Sequence, residues 1–278
     1  MKSSYLLLTS YLRDNSYMTD GSKEVAMSVP TYLPYVILIG NGLTLFAIFY
    51  GLNRALAEAS WQRTERLRAL TISAVILLGW LAIALGLSGA GFYHVVQSGI
   101  PTIQYGLFLP ILIGVFFIFR SELAGRILDA VPQPWIVGVQ FYRAFGVVFL
   151  TLYAAGQLPA LFAWPAGVGD IMVGLSAPMV AYAYARAPRQ SAGRVKAWNV
   201  FGILDLTVAV TLGFLTSPSA ITPIAVHPSS ELVTMLPMVM IPVYMVPLSI
   251  LLHITSLVKL HREQSRAADF RKTALAAA

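Results

Sequence analysis

Seven apolar runs, each close to the ~20 residues that a helix needs to cross a bilayer, constrain this chain more than any other feature. They cover residues 32–52, 70–90, 103–119, 135–154, 161–184, 198–215 and 233–258, of which the third and sixth are short. Only 11% of the residues are charged and 57% are hydrophobic, whereas a soluble domain carries about 25% charged residues. The sequence therefore predicts an all-α, polytopic membrane protein, a bundle of seven transmembrane helices.

Lysine and arginine residues concentrate at one end of this predicted bundle. They occupy the loops after the first, third and fifth runs and the C-terminal segment: Arg54, Arg63, Arg66, Arg68, Arg120, Arg126, Arg186, Arg189, Arg194, Lys196, Lys259, Arg262, Arg266, Arg271 and Lys272. The opposite loops, around His94, Gln157 and His227, contain neither residue type. Because cytoplasmic loops are enriched in Lys and Arg, we expect the N-terminus outside and the C-terminus in the cytoplasm of a cell membrane, with a bacterial inner membrane as a plausible setting.

We divide the chain into a flexible extracytoplasmic tail (1–30), a seven-helix transmembrane domain (31–258) and a basic cytoplasmic tail (259–278). The first tail is polar and has no apolar stretch long enough for a signal peptide. The net charge of +7 arises from residues that flank the runs, so we expect no nucleic-acid partner. The expected partners are the lipid bilayer, an unidentified small molecule or ion, and either further copies of the chain or the other subunits of a complex.

The residue inventory excludes several kinds of cofactor. There is no cysteine, which removes disulfides and thiolate ligands. The 4 histidines do not lie at opposed positions in the middle of two runs, so neither a haem nor a metal site is predicted. The seventh run lacks the lysine that would bind retinal. We therefore predict no cofactor.

Charged side chains in the middle of three runs are the strongest indication of a site. Arg143, Asp170 and Asp205 lie in the fourth, fifth and sixth runs, at depths that nearly coincide for a helical rise of ~1.5 Å per residue. Each such group costs about 2.5–3.5 kcal/mol at the bilayer centre, so these groups are expected to face one another. One positive charge against two negative charges leaves a carboxylate that should take up a proton or attract a cation. Arg143 would tune both carboxylates and could hold an anionic substrate.

Polar and helix-breaking residues surround the three charges. We expect Gln140, Asn199 and Tyr244 to extend the polar network. Small or helix-breaking residues mark the packing positions, namely Gly167, Gly169, Gly174, Gly202 and Pro242. The glycines and prolines of residues 158–169 predict an interruption of the fifth helix just above Asp170, as in transporter binding sites. Three prolines in the seventh run predict a kink, either a hinge or a bent packing helix.

Gly167-Val168-Gly169-Asp170 resembles the GxGD motif of intramembrane aspartyl proteases of the presenilin and prepilin-peptidase type. The resemblance covers four residues and implies that Asp170 and Asp205 would activate a water. In those families the partner aspartate precedes the motif, whereas Asp205 follows it. The Pro-Ala-Leu motif of presenilins is also missing.

These observations leave three functional hypotheses. The first is a small-molecule or ion carrier, with or without proton coupling, in which Asp170 and Asp205 are the protonatable or cation-binding groups. The second is a membrane sensor or an accessory subunit, in which the charges only assemble helices. The third is the intramembrane protease, and an enzymatic role is the less favoured class.

Overall fold

The structure is a computed structural model that describes residues 30–94, 101–219, 221 and 224–276. Within these residues the chain is all-α and contains seven helices that are long and apolar enough to cross a membrane. This confirms the predicted all-α class and the predicted number of helices that are long and apolar enough to span a membrane. The predicted N-terminal tail (1–30) lies outside the described residues except for its last residue.

Most of the helices are joined by short connections, whereas residues 216–240 separate the last two. We number them α1 (Leu33–Glu58), α2 (Arg63–Gly89), α3 (Ile103–Arg120), the short α4 (Glu122–Ala130), α5 (Gln133–Ala154), α6 (Ala160–Arg186), α7 (Pro188–Leu215) and α8, which consists of a turn (Ile241–Met245) followed by Val246–Ala276. Several helices extend beyond the apolar runs, because Lys and Arg interrupt an apolar run but are good helix formers. The sixth membrane helix, α7, is thus 28 residues long rather than short.

The seventh run is apolar from residue 233, but its helix begins only at Ile241. A 3-10 turn (Glu231–Thr234) precedes it, and Pro237 lies in the irregular segment between the two. The first five residues of α8 are π-helical and include Pro242. Proline cannot donate a backbone hydrogen bond, which is why this apolar segment begins as irregular backbone and enters the helix through a wide turn.

The irregular backbone predicted for the fifth run occurs instead in the fourth. Helix α6 is one continuous helix of 27 residues that contains both Pro165 and Pro178, so the predicted interruption above Asp170 is wrong. Pro165 lies in the second turn, where it removes a single intrahelical hydrogen bond while the flanking turns remain intact. By contrast, residues Val139–Gly146 of α5 form a 3-10 helix.

Helix α6 lies at the centre of the bundle, with its most extensive contacts to α7 and to the 3-10 segment of α5. Helix α2 is peripheral, since only 6% of its most apolar 18-residue stretch is buried. Residues 259–276, predicted as a tail, continue α8 as a helix. Lys259 at its start is buried and donates to the Leu128 carbonyl of α4 at 2.9 Å, while Arg266 pairs with Asp129 at 2.7 Å.

Candidate functional site

Arg143 lies in the 3-10 segment of α5 and is 3% exposed. Its Nε donates to Asp170 Oδ1 on α6 at 2.8 Å, and its Nη2 lies 2.7 Å from the same oxygen. Nη2 also lies 2.5 Å from Asp205 Oδ2 on α7. Nη1 donates to the Gly202 carbonyl of α7 at 3.3 Å and to His253 Nε2 on α8 at 3.1 Å. A single guanidinium therefore joins four helices.

These contacts engage all three nitrogens of the Arg143 guanidinium. Four hydrogen bonds run from its five N–H groups, and Nη2 in addition lies close to Asp170 Oδ1. Nε and Nη2 approach the same oxygen of Asp170 rather than forming the usual two-oxygen fork. Among the described residues, neither Asp170 Oδ2 nor Asp205 Oδ1 accepts a hydrogen bond. Each carboxylate thus keeps one oxygen that does not bond to Arg143.

His253 is fully buried and connects Arg143 to a second polar chain. Its Nδ1 lies 2.9 Å from Asn199 Oδ1, and the Asn199 amide nitrogen donates to the Val195 carbonyl and to Ser256 Oγ, both at 2.8 Å. Because Arg143 can only donate, Nε2 of His253 must accept, and Nδ1 must carry the hydrogen that Asn199 accepts. The contacts fix a neutral imidazole, so the charges of the site remain one positive and two negative.

Sequence reasoning missed His253, which was placed near the inner end of its helix and given no role. A signal was present, because Ser249, His253 and Ser256 recur at i, i+4 and i+7 and form one polar stripe on an otherwise apolar helix. Gln133 on α5 completes this chain, donating to Ser256 Oγ at 2.7 Å. Two of the three residues in the stripe are serines, and a single serine in an apolar helix does not by itself indicate a site.

The predicted glycines lie where helices approach most closely. A Cβ on Gly202 would lie 2.3 Å from His253 Nε2, and one on Gly169 would lie 1.5 Å from Asp205 Oδ1. A Cβ on Gly174 would meet the backbone of the 3-10 segment at 2.3 Å. These small residues allow the charged side chains to reach one another across the helix interfaces.

The other predicted members of the network lie around it rather than in it. Gln140 donates to the Ser249 carbonyl at 3.1 Å and does not contact Arg143. Tyr244 was expected to reach the centre, but its hydroxyl donates to the Leu77 carbonyl of α2 at 3.1 Å. Its ring packs on Trp80 with 4.5 Å between centroids. The wide turn at the start of α8 directs Tyr244 towards α2.

Two cavities meet at Asp170. The larger, about 450 Å³, is lined by apolar side chains of α3, α5, α6, α7 and α8, with Asp170 as the charged residue among its described lining. It follows one face of α7 from Leu206 to Phe214, about 12 Å at the helical rise, and reaches the segment that connects α7 to α8. The smaller, about 50 Å³, lies between α1, α5, α6, α7 and α8 and is lined by Asn41, Arg143 and Asp170, among others. Asp170 is therefore the group at which an apolar chamber meets the charge network.

Metal ligation by acidic or imidazole groups finds no support among the residues that the structure describes. No group of three or more His, Asp or Glu side chains is placed there to hold a metal ion. Each aspartate gives one oxygen to Arg143, and His253 is occupied on both ring nitrogens.

Comparison with known proteins identifies a family but no relative of known activity. No curated protein and no solved structure matches the chain. Residues 100–261 match the family described as "Domain of unknown function (DUF8737)". That region contains Arg143, Asp170, Asp205, Asn199 and His253, whereas α1 and α2 precede it. Since the match covers more than half of the 278 residues, the chain belongs to this family.

Proposed function

We propose that this protein is a membrane carrier for a small, largely apolar molecule with a positive charge, and that Asp170 is the group that binds this charge. The observation that supports the proposal is the position of Asp170, whose Oδ2 is free of Arg143 and which lines the 450 Å³ cavity. A cavity of this size falls in the range of ~300–1,000 Å³ typical of ligand sites. Its apolar walls and single charged group match the chemistry of such a molecule.

The sign of the charge follows from the partners of Arg143. Four hydrogen bonds already run from its five N–H groups, and it lies against two carboxylates, whose negative charge disfavours an anionic substrate beside it. The described lining of the large cavity contains no Lys, Arg or His. With two carboxylates against one guanidinium, the site carries one excess negative charge, which a bound cation or a proton would neutralise. In a proton-coupled carrier, the proton would occupy Asp170 when the ligand is absent.

Transport requires that the cavity open alternately to the two sides of a bilayer. We propose the orientation that the loop charges favour, with the connection between α7 and α8 outside and the basic loops in the cytoplasm. The large cavity then reaches towards the outer side. The π-helical turn that contains Pro242 lines the cavity and is the proposed hinge, since its backbone is already irregular.

Uptake of a quaternary ammonium ion tests this function. The parent protein in liposomes should accumulate radiolabelled tetrapropylammonium saturably when an inside-negative potential is imposed, and Asp170→Asn should abolish the uptake. Glu58→Gln, which makes the same change at an exposed ion pair with Arg54, is the matched control and should transport normally. Equal uptake by the parent and Asp170→Asn would refute the proposal. So would the absence of protein-dependent uptake of every tetraalkylammonium from tetramethyl to tetrabutyl.

An accessory subunit is the second candidate, and two observations favour it. Arg143 joins four helices through contacts that are all internal, which is what helix assembly alone would require. Helix α2 leaves most of its apolar surface unburied, as does a helix that faces lipid or a partner. Copurification of a stoichiometric partner, together with unchanged uptake in Asp170→Asn, would favour this candidate.

The protease hypothesis loses support from the geometry. Two catalytic aspartates need a water between them, but Nη2 of Arg143 lies between Asp170 and Asp205, at 2.7 and 2.5 Å. The guanidinium occupies the position that the attacking water would need. The motif also lies within an unbroken helix.

A further inference from the structure

The small cavity beside Asp170 has a lining unlike that of the large one. Its volume is about 50 Å³, close to the space of one or two water molecules. Polar residues from four helices line it: Asn41 of α1, Tyr142 and Arg143 of α5, Asp170 of α6 and Ser249 of α8. Asn41, Tyr142 and Ser249 are each more than nine-tenths buried. Five polar side chains therefore gather, among apolar neighbours, at one small and partly open cavity within the bundle.

The hydroxyl hydrogens around this cavity and one amide hydrogen of Asn41 already have acceptors. Ser249 donates its hydroxyl to the Met245 carbonyl at 2.9 Å, so it accepts from the Tyr142 hydroxyl at 2.5 Å. The Asn41 amide nitrogen donates to the Ile37 carbonyl at 2.8 Å, while Asn41 Oδ1 is buried without a partner. Unpartnered buried acceptors are costly, typically about 1–3 kcal/mol each. The oxygens of the site thus present free lone pairs to the cavity.

Both irregular stretches of the membrane helices border this same space. The 3-10 segment of α5 contributes Tyr142 and Gly146, and the π-helical turn of α8 contributes Ile241 and Met245. Irregular backbone within membrane helices is tolerated where it lines a site, and in transporters it surrounds the coupling ions. Two such segments on one cavity indicate an occupant that uses oxygen ligands.

We propose that the small cavity binds a dehydrated monovalent cation of sodium's size. Its ligands are Asn41 Oδ1, Asp170 Oδ2 and the hydroxyl oxygens of Tyr142 and Ser249. Hard cations take oxygen ligands, and this set contains a single formal charge, as suits a monovalent ion. The excess carboxylate charge of the Arg143 site supplies the attraction, on the side of Asp170 that faces away from the guanidinium.

A cation here would compete with the ligand of the large cavity, because Asp170 lines both cavities. One excess negative charge cannot neutralise two cations, so binding of either weakens binding of the other, and the coupling is reciprocal. If the proposed carrier function holds, this competition makes the protein an exchanger of sodium for an organic cation. The sodium site itself does not depend on that function.

Equilibrium binding of ²²Na⁺ to the full chain in nanodiscs tests the site. We expect saturable binding that unlabelled Na⁺ displaces more than tenfold better than K⁺, and that tetrapropylammonium also displaces. Asn41→Leu should weaken binding at least tenfold, because it removes the unpartnered oxygen. Leucine is an apolar residue of similar size that favours a helix, so the helix itself should be retained. Asn53→Leu, an exposed position on the same helix, should leave the dissociation constant within twofold.

A second variant and a separate readout keep the result decisive. Ser249→Ala should also weaken ²²Na⁺ binding, and Na⁺ should raise the unfolding temperature of the parent, but not of Asn41→Leu, at matched ionic strength in N-methylglucamine chloride. No saturable binding by a folded parent would overturn the site and leave the cavity to water. Equal binding by the parent and Asn41→Leu would also overturn it. Sodium binding without tetraalkylammonium uptake would retain the site and refute only the carrier function.

Discussion

The variants Asp170→Asn and Asp205→Asn, made singly and together, measure how the two carboxylates jointly compensate the charge of Arg143. Each single change removes one charge-assisted hydrogen bond, worth about 1.5–3 kcal/mol. It also removes the excess negative charge, so the remaining carboxylate and the guanidinium form a neutral pair. We therefore expect each single variant to lose only about 1 kcal/mol of the free energy of unfolding.

The double variant removes both negative charges that compensate the positive charge of Arg143. Arg143 is 3% exposed and would become a buried cation without a counter-charge, a situation that typically costs about 3–5 kcal/mol. The loss should exceed the sum of the two single losses by about 2 kcal/mol. Such a coupling lies within the range measured for residues that share one network.

Reversible unfolding in mixed micelles, titrated with dodecyl sulfate and followed by circular dichroism, gives the four free energies of this cycle. Glu58→Gln is the control for the change of a carboxylate to an amide and should stay within about 0.5 kcal/mol of the parent, because its ion pair with Arg54 is exposed. Additive losses would refute the reasoning, since they would mean that Arg143 does not serve both carboxylates at once.

Further predictions concern packing, the histidine and the orientation. Gly202→Ala should destabilise the protein by about 1–3 kcal/mol in the same titration, because its Cβ would lie 2.3 Å from the His253 ring, whereas Gly79→Ala meets nothing within 4 Å and should not be destabilising. His253→Phe should cost about 2 kcal/mol, since it leaves one N–H of the buried guanidinium and one amide oxygen unpaired. The chain has no native cysteine, so Ala225→Cys and Ser265→Cys can be labelled with a membrane-impermeant maleimide in intact cells. The first should react and the second should react only after lysis, and the reverse pattern would refute the proposed orientation.

The apolar runs predicted the helices because a membrane helix must satisfy its own backbone over the thickness of the bilayer. Their ends were less predictable. Arg63 begins α2 well before the apolar run does, since a charged residue continues a helix as readily as an apolar one. Hydropathy measures how long a segment can lie in lipid, and it does not report where the helix starts.

Residue types could not predict which of the long apolar helices contains irregular backbone. Helix α6 contains Pro165, Pro178 and several glycines, and it is continuous; the 3-10 segment of α5 contains no proline. In α6 the glycines allow close packing against α5 and α7, and that packing holds the helix together. In α5 the 3-10 segment carries Arg143, whose five contacts on three other helices offset the poorer backbone geometry. Tertiary contacts decided both cases.

The charges of the site divide into those that hold helices together and one that remains available. Asp205, His253 and the Gly202 carbonyl are committed to Arg143, and they all lie within the region that matches the family. Asp170 and Asp205 each give one oxygen to Arg143, but of the two only Asp170 lines the two cavities. An assembly role does not require a carboxylate that lines both cavities, so this position is the feature that the role does not explain.

Asn41 separates the proposed sodium site from the rest of the charge network. It lies on α1, outside residues 100–261, whereas every partner of Arg143 lies inside. No hydrogen bond of Arg143 therefore involves α1, whereas the proposed sodium site requires it. Loss of Asn41 Oδ1 should abolish ²²Na⁺ binding while the unfolding coupling between Asp170 and Asp205 stays at about 2 kcal/mol. If Asn41→Leu also removed that coupling, α1 would be part of the helix assembly. The charges that hold the helices together would then not be separate from the oxygens that bind sodium.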